Sequence, residues 1–294
     1  MAAKSGLVTS EQINFFNEKG FLTLRGVIDS EDLAQLRTIL ERLFASRCGH
    51  EEGAFYDLVG NDEEGGEVSL PQLTDPMNFA PMLRKTAAFA KVSRIARQLM
   101  GPDTTFANDH AILKPAHIGE ATPWHQDEAY RADPRWCYRE LSFWIPLQDT
   151  NLENGCMHYA AGTHKHNILP HRPLNEDPDV HALECSHWID PATVVPCPLT
   201  AGDMAIHHVR TAHFAGANTT AAPRYAYILI FEAPPLAAEV EQRVSWSVAR
   251  MTPAMRRRQA WLENGGSRQQ LLRKLVRIWH NPRRYINKVI NPKW

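Results

Sequence analysis

His125 and Asp127, in the stretch Pro123-Trp124-His125-Gln126-Asp127-Glu128, set an imidazole and a carboxylate two residues apart. On an extended strand, side chains at that spacing project from one face. They supply two of the three donors of a two-histidine, one-carboxylate facial triad, the arrangement that holds non-haem Fe(II) and leaves positions open for a cosubstrate and O2. In a chain with 14 histidines, a lone His-x-Asp triplet is weak evidence. It gains force from the run His213-Phe214-Ala215-Gly216-Ala217-Asn218-Thr219-Thr220-Ala221-Ala222-Pro223-Arg224. His213 offers the third donor. Arg224, eleven residues on, opens the apolar, β-prone run Tyr225-Ala226-Tyr227-Ile228-Leu229-Ile230-Phe231. A guanidinium at the start of a buried strand is costly without an anionic partner, and its planar fork suits a carboxylate held bidentately. Alone, Arg224 would read as one half of a salt bridge within the protein. Behind two histidines and an aspartate in this order, an anionic ligand is the better reading.

The elements that must position these residues read as α, then β, then α. Residues 10–19 and 30–47 have helical periodicity, with Ser10 the expected cap of the first helix and Asp29 or Ser30 that of the second; Glu31 and Asp32 suit the positive end of its dipole. Residues 48–80, rich in glycine and acids, read as loop, and 81–100 as a further helix closed by Gly101-Pro102. From 104 to 233 short β-prone runs alternate with Pro, Gly and Asn. Two antiparallel sheets facing each other would bring His125, Asp127 and His213 to one mouth of a jelly-roll barrel. Residues 166–192 read as a long loop over that mouth, where substrate contacts are expected. The other histidines between 158 and 208, His207 and His208 among them, are rival candidate ligands, most of them reading as surface or hydrogen-bonded residues.

The order and spacing of several short motifs resemble the phytanoyl-CoA dioxygenase family of Fe(II)/2-oxoglutarate oxygenases over residues 9 to 233. Gln12-Ile13-Asn14-Phe15-Phe16, Gly20-Phe21-Leu22-Thr23-Leu24 and Leu33-Ala34-Gln35-Leu36-Arg37 resemble its opening helix, strand and helix. Leu113-Lys114-Pro115 and Trp124-His125-Gln126-Asp127 come next. Phe143-Trp144-Ile145-Pro146-Leu147, Asp149-Thr150 and Glu153-Asn154-Gly155 resemble its central strand and turn. Gly162-Thr163-His164, Gly202-Asp203 and the segment carrying His213, Gly216, Asn218, Thr220 and Arg224 complete the match.

The resemblance implies an α+β chain with a double-stranded β-helix (jelly-roll, cupin-like) core flanked by N- and C-terminal helices. It implies His125, Asp127 and His213 as iron ligands, and Arg224 as the partner of the distal carboxylate of 2-oxoglutarate. Trp144 is expected to line the cosubstrate pocket, with Lys114 as a further contact. Many members carry a hydroxyl residue two positions after the distal histidine; here Ala215 stands there, and Thr220 is the neighbouring hydroxyl expected to compensate. Asp127 is intact, whereas halogenating relatives have a small residue in its place, so hydroxylation is expected. The implied reaction consumes 2-oxoglutarate and O2 and releases succinate and CO2. The alternatives are a tailoring hydroxylase of natural products or other small metabolites, and a jelly-roll protein that binds metal or ligand without turnover.

At 294 residues, 44% hydrophobic and 22% charged, the chain has the composition of a soluble globular protein. No apolar run is as long as a membrane span, and residues 1–6 lack the apolar stretch of a secretory signal. Five cysteines, odd in number and without a CxxC, read as reduced thiols of a cytoplasmic protein. Net charge is −1, but residues 255–294 hold eleven Lys or Arg and one acid, a net of +10 that leaves −11 on the rest. The expected division is therefore an oxygenase domain over 1–254 (helical to 103, jelly roll about 104–233) and a basic amphipathic extension over 255–294. In that tail Leu271, Leu272, Leu275, Ile278 and Trp279 interleave with cations at helical spacing. Two readings stand: a helix lying on an anionic membrane, with a lipid-linked or lipopolysaccharide substrate, or a helix packed on the acidic body. No nucleic-acid recognition module is recognisable, so no nucleic-acid partner is expected.

Overall fold

The structure, a computed structural model, describes residues 7–60, 68–131, 133, 135–238 and 250–264. Helix α1 (Ser10–Lys19) leads into strand β1 (Phe21–Leu24) and helix α2 (Ser30–Ala45). Thr9 caps α1 in place of Ser10. Its hydroxyl accepts from the Gln12 amide while the Gln12 side chain accepts from the Thr9 amide, a reciprocal capping box. Asp29 caps α2 through the Asp32 amide. Strands β2 (Phe55–Asp57) and β3 (Pro71–Thr74) and the short helix α3 (Pro76–Phe79) occupy the stretch expected to be loop. Their three- and four-residue apolar patterns are too short to stand out among glycines and acids. One buried carboxylate organises the connection, with Asp57 accepting from the amides of Val59, Gly60, Ser69 and Leu70. The helix expected over 81–100 is split. A 3-10 turn, Pro81–Lys85, ends at Thr86, whose hydroxyl accepts from the Phe89 amide and starts α4 (Ala87–Met100) afresh.

The remaining elements are β4 (Thr105–Lys114), β5 (Thr122–His125), β6 (Trp136–Pro146), β7 (Met157–Ala160), β8 (Arg172–Pro173), β9 (Leu183–Glu184), β10 (Val194–Cys197), β11 (Met204–His208), β12 (His213–Ala215), β13 (Arg224–Ala237) and α5 (Pro253–Glu263). Seven strands form one antiparallel sheet in the order β1-β11-β6-β13-β4-β3-β2. Four form the opposing sheet, β10-β7-β12-β5, and together they make the expected jelly roll. β8 and β9 pair within 166–192, the stretch read as loop; it buries Val180, Ala182, Leu183 and Cys185. All five cysteines are free.

Two-residue alternation on the long strands separates core from site. On β6, Leu141, Phe143 and Ile145 face the helices; on β13, Tyr227, Leu229 and Phe231 do so. They pack with Leu36 and Leu40 of α2 and Val92 and Ile95 of α4. Leu36 and Leu40 are fully buried, each worth roughly 2 kcal/mol by area. The intervening residues, Ser142 and Trp144 on β6 and Arg224, Ile228 and Ile230 on β13, turn inward to line the space between the sheets.

Helix α5 straddles the boundary expected at residue 254. Ala254 is buried against Tyr56, Leu58, Leu70, Val180 and Ala182. Arg258 reaches Asp75 at 3.2 Å and Arg256 reaches Asp179 at 3.1 Å, so the first described turns of the basic segment pack on the body. The cationic helix expected beyond residue 264 lies outside the described residues. Among the described residues no helix is long and apolar enough to cross a membrane.

Candidate metal centre

His125 is the last residue of β5. Gln126 continues extended (φ −118°, ψ 130°), and Asp127 opens a 3-10 turn, Asp127–Tyr130. That continuation is what keeps the two side chains on one face. Gln126 is fully buried and fixes the corner three ways. Its amide N–H donates to His171 Nε2 (3.0 Å), its side-chain amide to the Arg210 carbonyl (2.6 Å), and its Oε1 accepts from the Leu169 amide (2.7 Å). His213 on β12 lies directly across the strand pair from His125. Gly20, at φ +82°, ends α1 where a Cβ would meet His164 and Thr211; its carbonyl accepts from the Thr211 hydroxyl and the His208 amide, anchoring the approach to β12.

The donor atoms of His125, Asp127 and His213 lie within 4.8 Å of one another. Both Nε2 atoms face the same carboxylate oxygen, Asp127 Oδ1, at 3.5 Å from His125 and 3.6 Å from His213. Each ring turns Nδ1 to a carbonyl two residues back, Pro123 at 2.8 Å and Thr211 at 2.9 Å. Nδ1–H donates there, leaving the Nε2 lone pair free for a metal, the usual outer support of a ligating histidine. The other oxygen, Asp127 Oδ2, accepts from Ser142 Oγ at 2.8 Å and lies 3.3 Å from His207 Nε2. Burial would raise the Asp127 carboxyl, but His213 and the hydrogen bonds of His125 and His207 hold it well below the ordinary carboxylate range. Burial drives His213 well below the usual imidazole value, with His125 and His207 adding to the effect. An ionised carboxylate and imidazole nitrogens with open positions suit Fe(II).

These residues open into a cavity of about 240 Å³. Arg224, 1% exposed, lies at one end of it. Its Nε donates to the Asn154 carbonyl at 3.3 Å, its guanidinium stacks over Trp144 at 5.5 Å, and Nη1 is buried with no partner. Burial lowers its pKa to about 9. Among the described residues no carboxylate pairs with it, so no salt bridge among them accounts for its burial. An unpartnered donor aimed into a cavity beside a metal-ligand cluster fits the carboxylate of a chelating cosubstrate.

The other expected contacts divide. Trp144 lines the cavity. Lys114 pairs with Arg224 in strand register but does not line it. It is fully buried, its ammonium donating to the carbonyls of Glu120 and Ala215, and burial together with Arg224 pulls its pKa well down. Thr220 is also outside; its hydroxyl donates to Asn218 Oδ1 at 2.7 Å within the turn before β13. The hydroxyl that faces the gap left by Ala215 is that of Thr122, its cross-strand partner, which lines the cavity. Sequence reasoning missed Thr122, although it is three residues before His125, on the strand that delivers the ligand. It also missed Ser142 and gave no role to His207; the alternation about Trp144 signals Ser142, since both face inward. A larger groove of about 790 Å³ between α1, β1 and β10 offers no imidazole or carboxylate.

Comparison with known proteins is consistent with this arrangement. The family model described as phytanoyl-CoA dioxygenase (PhyH) matches residues 16–226. The crystal structure of EvdO2 from Micromonospora carbonacea var. aurantiaca superposes with a TM-score of 0.72 at 36% identity, covering 82% of this chain and 98% of that one. EvdO2 complexed with 2-oxoglutarate gives a TM-score of 0.70 at 33% identity, with the same coverage. A probable alpha-ketoglutarate-dependent hypophosphite dioxygenase of Stutzerimonas stutzeri is 24% identical over 215 residues, 71% of this chain and 73% of that protein.

Proposed function

The chain belongs to the phytanoyl-CoA dioxygenase family of Fe(II)- and 2-oxoglutarate-dependent dioxygenases, and from that premise we infer that it hydroxylates an unactivated C–H bond of a small organic molecule. His125, Asp127 and His213 hold the iron. Arg224 takes the distal carboxylate of 2-oxoglutarate, with Trp144 beneath its guanidinium and the Thr122 hydroxyl alongside. Bound iron with 2-oxoglutarate and O2 supplies the oxidising power. One oxygen atom enters the substrate, turning C–H into C–OH; the other enters succinate as 2-oxoglutarate loses CO2.

The protein's contribution is geometry and exclusion of water. The carbonyls of Pro123 and Thr211 fix the two imidazoles, and Ser142 and His207 hold Asp127 Oδ2 so that Oδ1 faces the metal position. The intact carboxylate at 127 favours hydroxylation over halogenation. The observation that carries the reading is one cavity containing both the three converging donors and the Arg224 guanidinium with its unpartnered Nη1. A membrane-bound, lipid-linked substrate has only the charge of the tail in its favour.

Anaerobic loading with Fe(II) and 2-oxoglutarate followed by O2 tests the reading. The expected result is slow formation of succinate and CO2 without added substrate, faster with one. Stoichiometric iron and 2-oxoglutarate binding with no succinate would instead mark a jelly-roll protein that binds without turnover.

A further inference from the structure

Strand β13 serves as a ruler along the inner wall of the cavity. Going from its start, inward residues pair across the sheet as Arg224 with Lys114, Ala226 with Ile112, Ile228 with His110 and Trp144, and Ile230 with Asn108 and Ser142. Six residues, or about 20 Å of strand, separate Arg224 from Ile230. Ser142 holds Asp127, so that carboxylate stands near the Ile230 level, and a cosubstrate bound as proposed above would extend toward Arg224. Asn108 and His110 stand at and next to that level on β4, two strands from Ser142 and about 10 Å away laterally. Both line the cavity, across β13 from the wall formed by Ser142 and Trp144.

Among the described residues, nothing hydrogen-bonds the Asn108 side-chain amide or either ring nitrogen of His110. Burial lowers the His110 pKa to about 4, outweighing the pull of Asp127, so the ring is neutral and offers one donor and one acceptor. Asn108 adds two donors and an acceptor. The charges nearby are already matched: Arg131 pairs with Glu140 at the rim, and Arg224 is reserved for the cosubstrate.

We propose that Asn108 and His110 recognise the substrate, and that the substrate is an uncharged, hydroxyl-rich molecule rather than a hydrocarbon chain. This rests on the hydroxylase reading above. A hydroxyl can donate and accept, matching both side chains. An aliphatic chain would displace water from both and leave them unpaired, at roughly 1–3 kcal/mol each. An anion or cation would find no unmatched partner among the described residues. The cavity's modest size, shared with the cosubstrate, confines the reacting part to about one ring.

The test uses the full chain loaded with Fe(II) and 2-oxoglutarate. Methyl glycosides, polyols and nucleosides are compared with straight and branched fatty acids and their CoA thioesters for stimulation of succinate formation and for a product heavier by one oxygen atom. A member of the hydroxyl-rich set is expected to stimulate. For it, Asn108→Leu and His110→Leu are each expected to raise KM about 10- to 100-fold, with the KM for 2-oxoglutarate unchanged. His110→Gln, which keeps a donor and an acceptor, should recover most of the loss, and thermal melting confirms that each variant folds. Stimulation by acyl chains alone, by no member of the hydroxyl-rich set, or an unchanged KM in folded Leu variants overturns the proposal. Absence of any succinate, even uncoupled, would overturn the hydroxylase reading itself.

Discussion

Replacing Arg224 by alanine isolates the cosubstrate end of the site. The guanidinium is 1% exposed and stands over Trp144, and among the described residues its Nη1 has no partner and no acid pairs with it. Its removal would leave the distal carboxylate of 2-oxoglutarate buried without a partner, a loss of about 2–4 kcal/mol, or roughly 30- to 700-fold in affinity. Arg224→Lys should recover part of this, because an ammonium keeps the charge but lacks the fork. The assay is thermal unfolding with a redox-inert divalent ion and graded 2-oxoglutarate, since a ligand that binds only the folded state stabilises it by about 2.7 kcal/mol at 100 times Kd. Wild type should melt progressively higher as 2-oxoglutarate rises, and Arg224→Ala should need far more. Without cosubstrate the variant should melt no lower than wild type, because the native residue is a buried cation with no counter-ion among the described residues. Equal cosubstrate stabilisation of both proteins would refute the assignment, and a large loss of stability in the ligand-free variant would point to a structural role.

Three further outcomes follow from particular contacts. Thr122→Val should weaken 2-oxoglutarate binding about fivefold, near 1 kcal/mol, whereas Thr220→Val should not change it in the same titration. Asp109 is buried, accepts from Tyr227 at 2.7 Å and has its pKa raised to about 7, chiefly by burial. The folded protein therefore holds this proton more tightly than the unfolded chain, and stability is lost as pH rises from about 4 through 7; Asp109→Asn should raise the melting temperature at pH 8 and much less at pH 5, and an equal effect at both would contradict this. If the segment beyond residue 264 binds anionic membranes, full-length protein should sediment with anionic but not neutral vesicles, binding should fall steeply with salt, and deletion of 267–294 should abolish it; no binding at low salt removes the membrane reading.

The convergence of His125, Asp127 and His213 was legible because its signal is chemical identity at fixed spacing, which survives without knowledge of the partner strands. Arg224 was legible for a related reason: a charge heading an apolar strand needs an explanation that sequence alone can pose. Thr122, Ser142 and His207 were hidden because their roles depend on which strands adjoin. Thr122 matters through its register with Ala215, and His207 through β11 lying beside β6. Lys114 and Thr220 show the converse. Both have the right chemistry near the right place, but nearby carbonyls and Asn218 take their hydrogen bonds. In the fold, α1, α2 and α4 carry long periodic patterns, whereas β2, β3, β8 and β9 are only two to four residues long. Strands so short are fixed by pairing with neighbours more than by their own sequence.

If His125, Asp127 and His213 together hold the iron that drives 2-oxoglutarate turnover, each of them is indispensable to it. Measuring bound Fe(II) per chain and succinate formed, for wild type and for His125→Ala, Asp127→Ala and His213→Ala, tests it most directly. One iron per wild-type chain with succinate production, and loss of both in each folded variant, is the expected result. Iron binding and succinate formation at the wild-type level in any one of the three would contradict it.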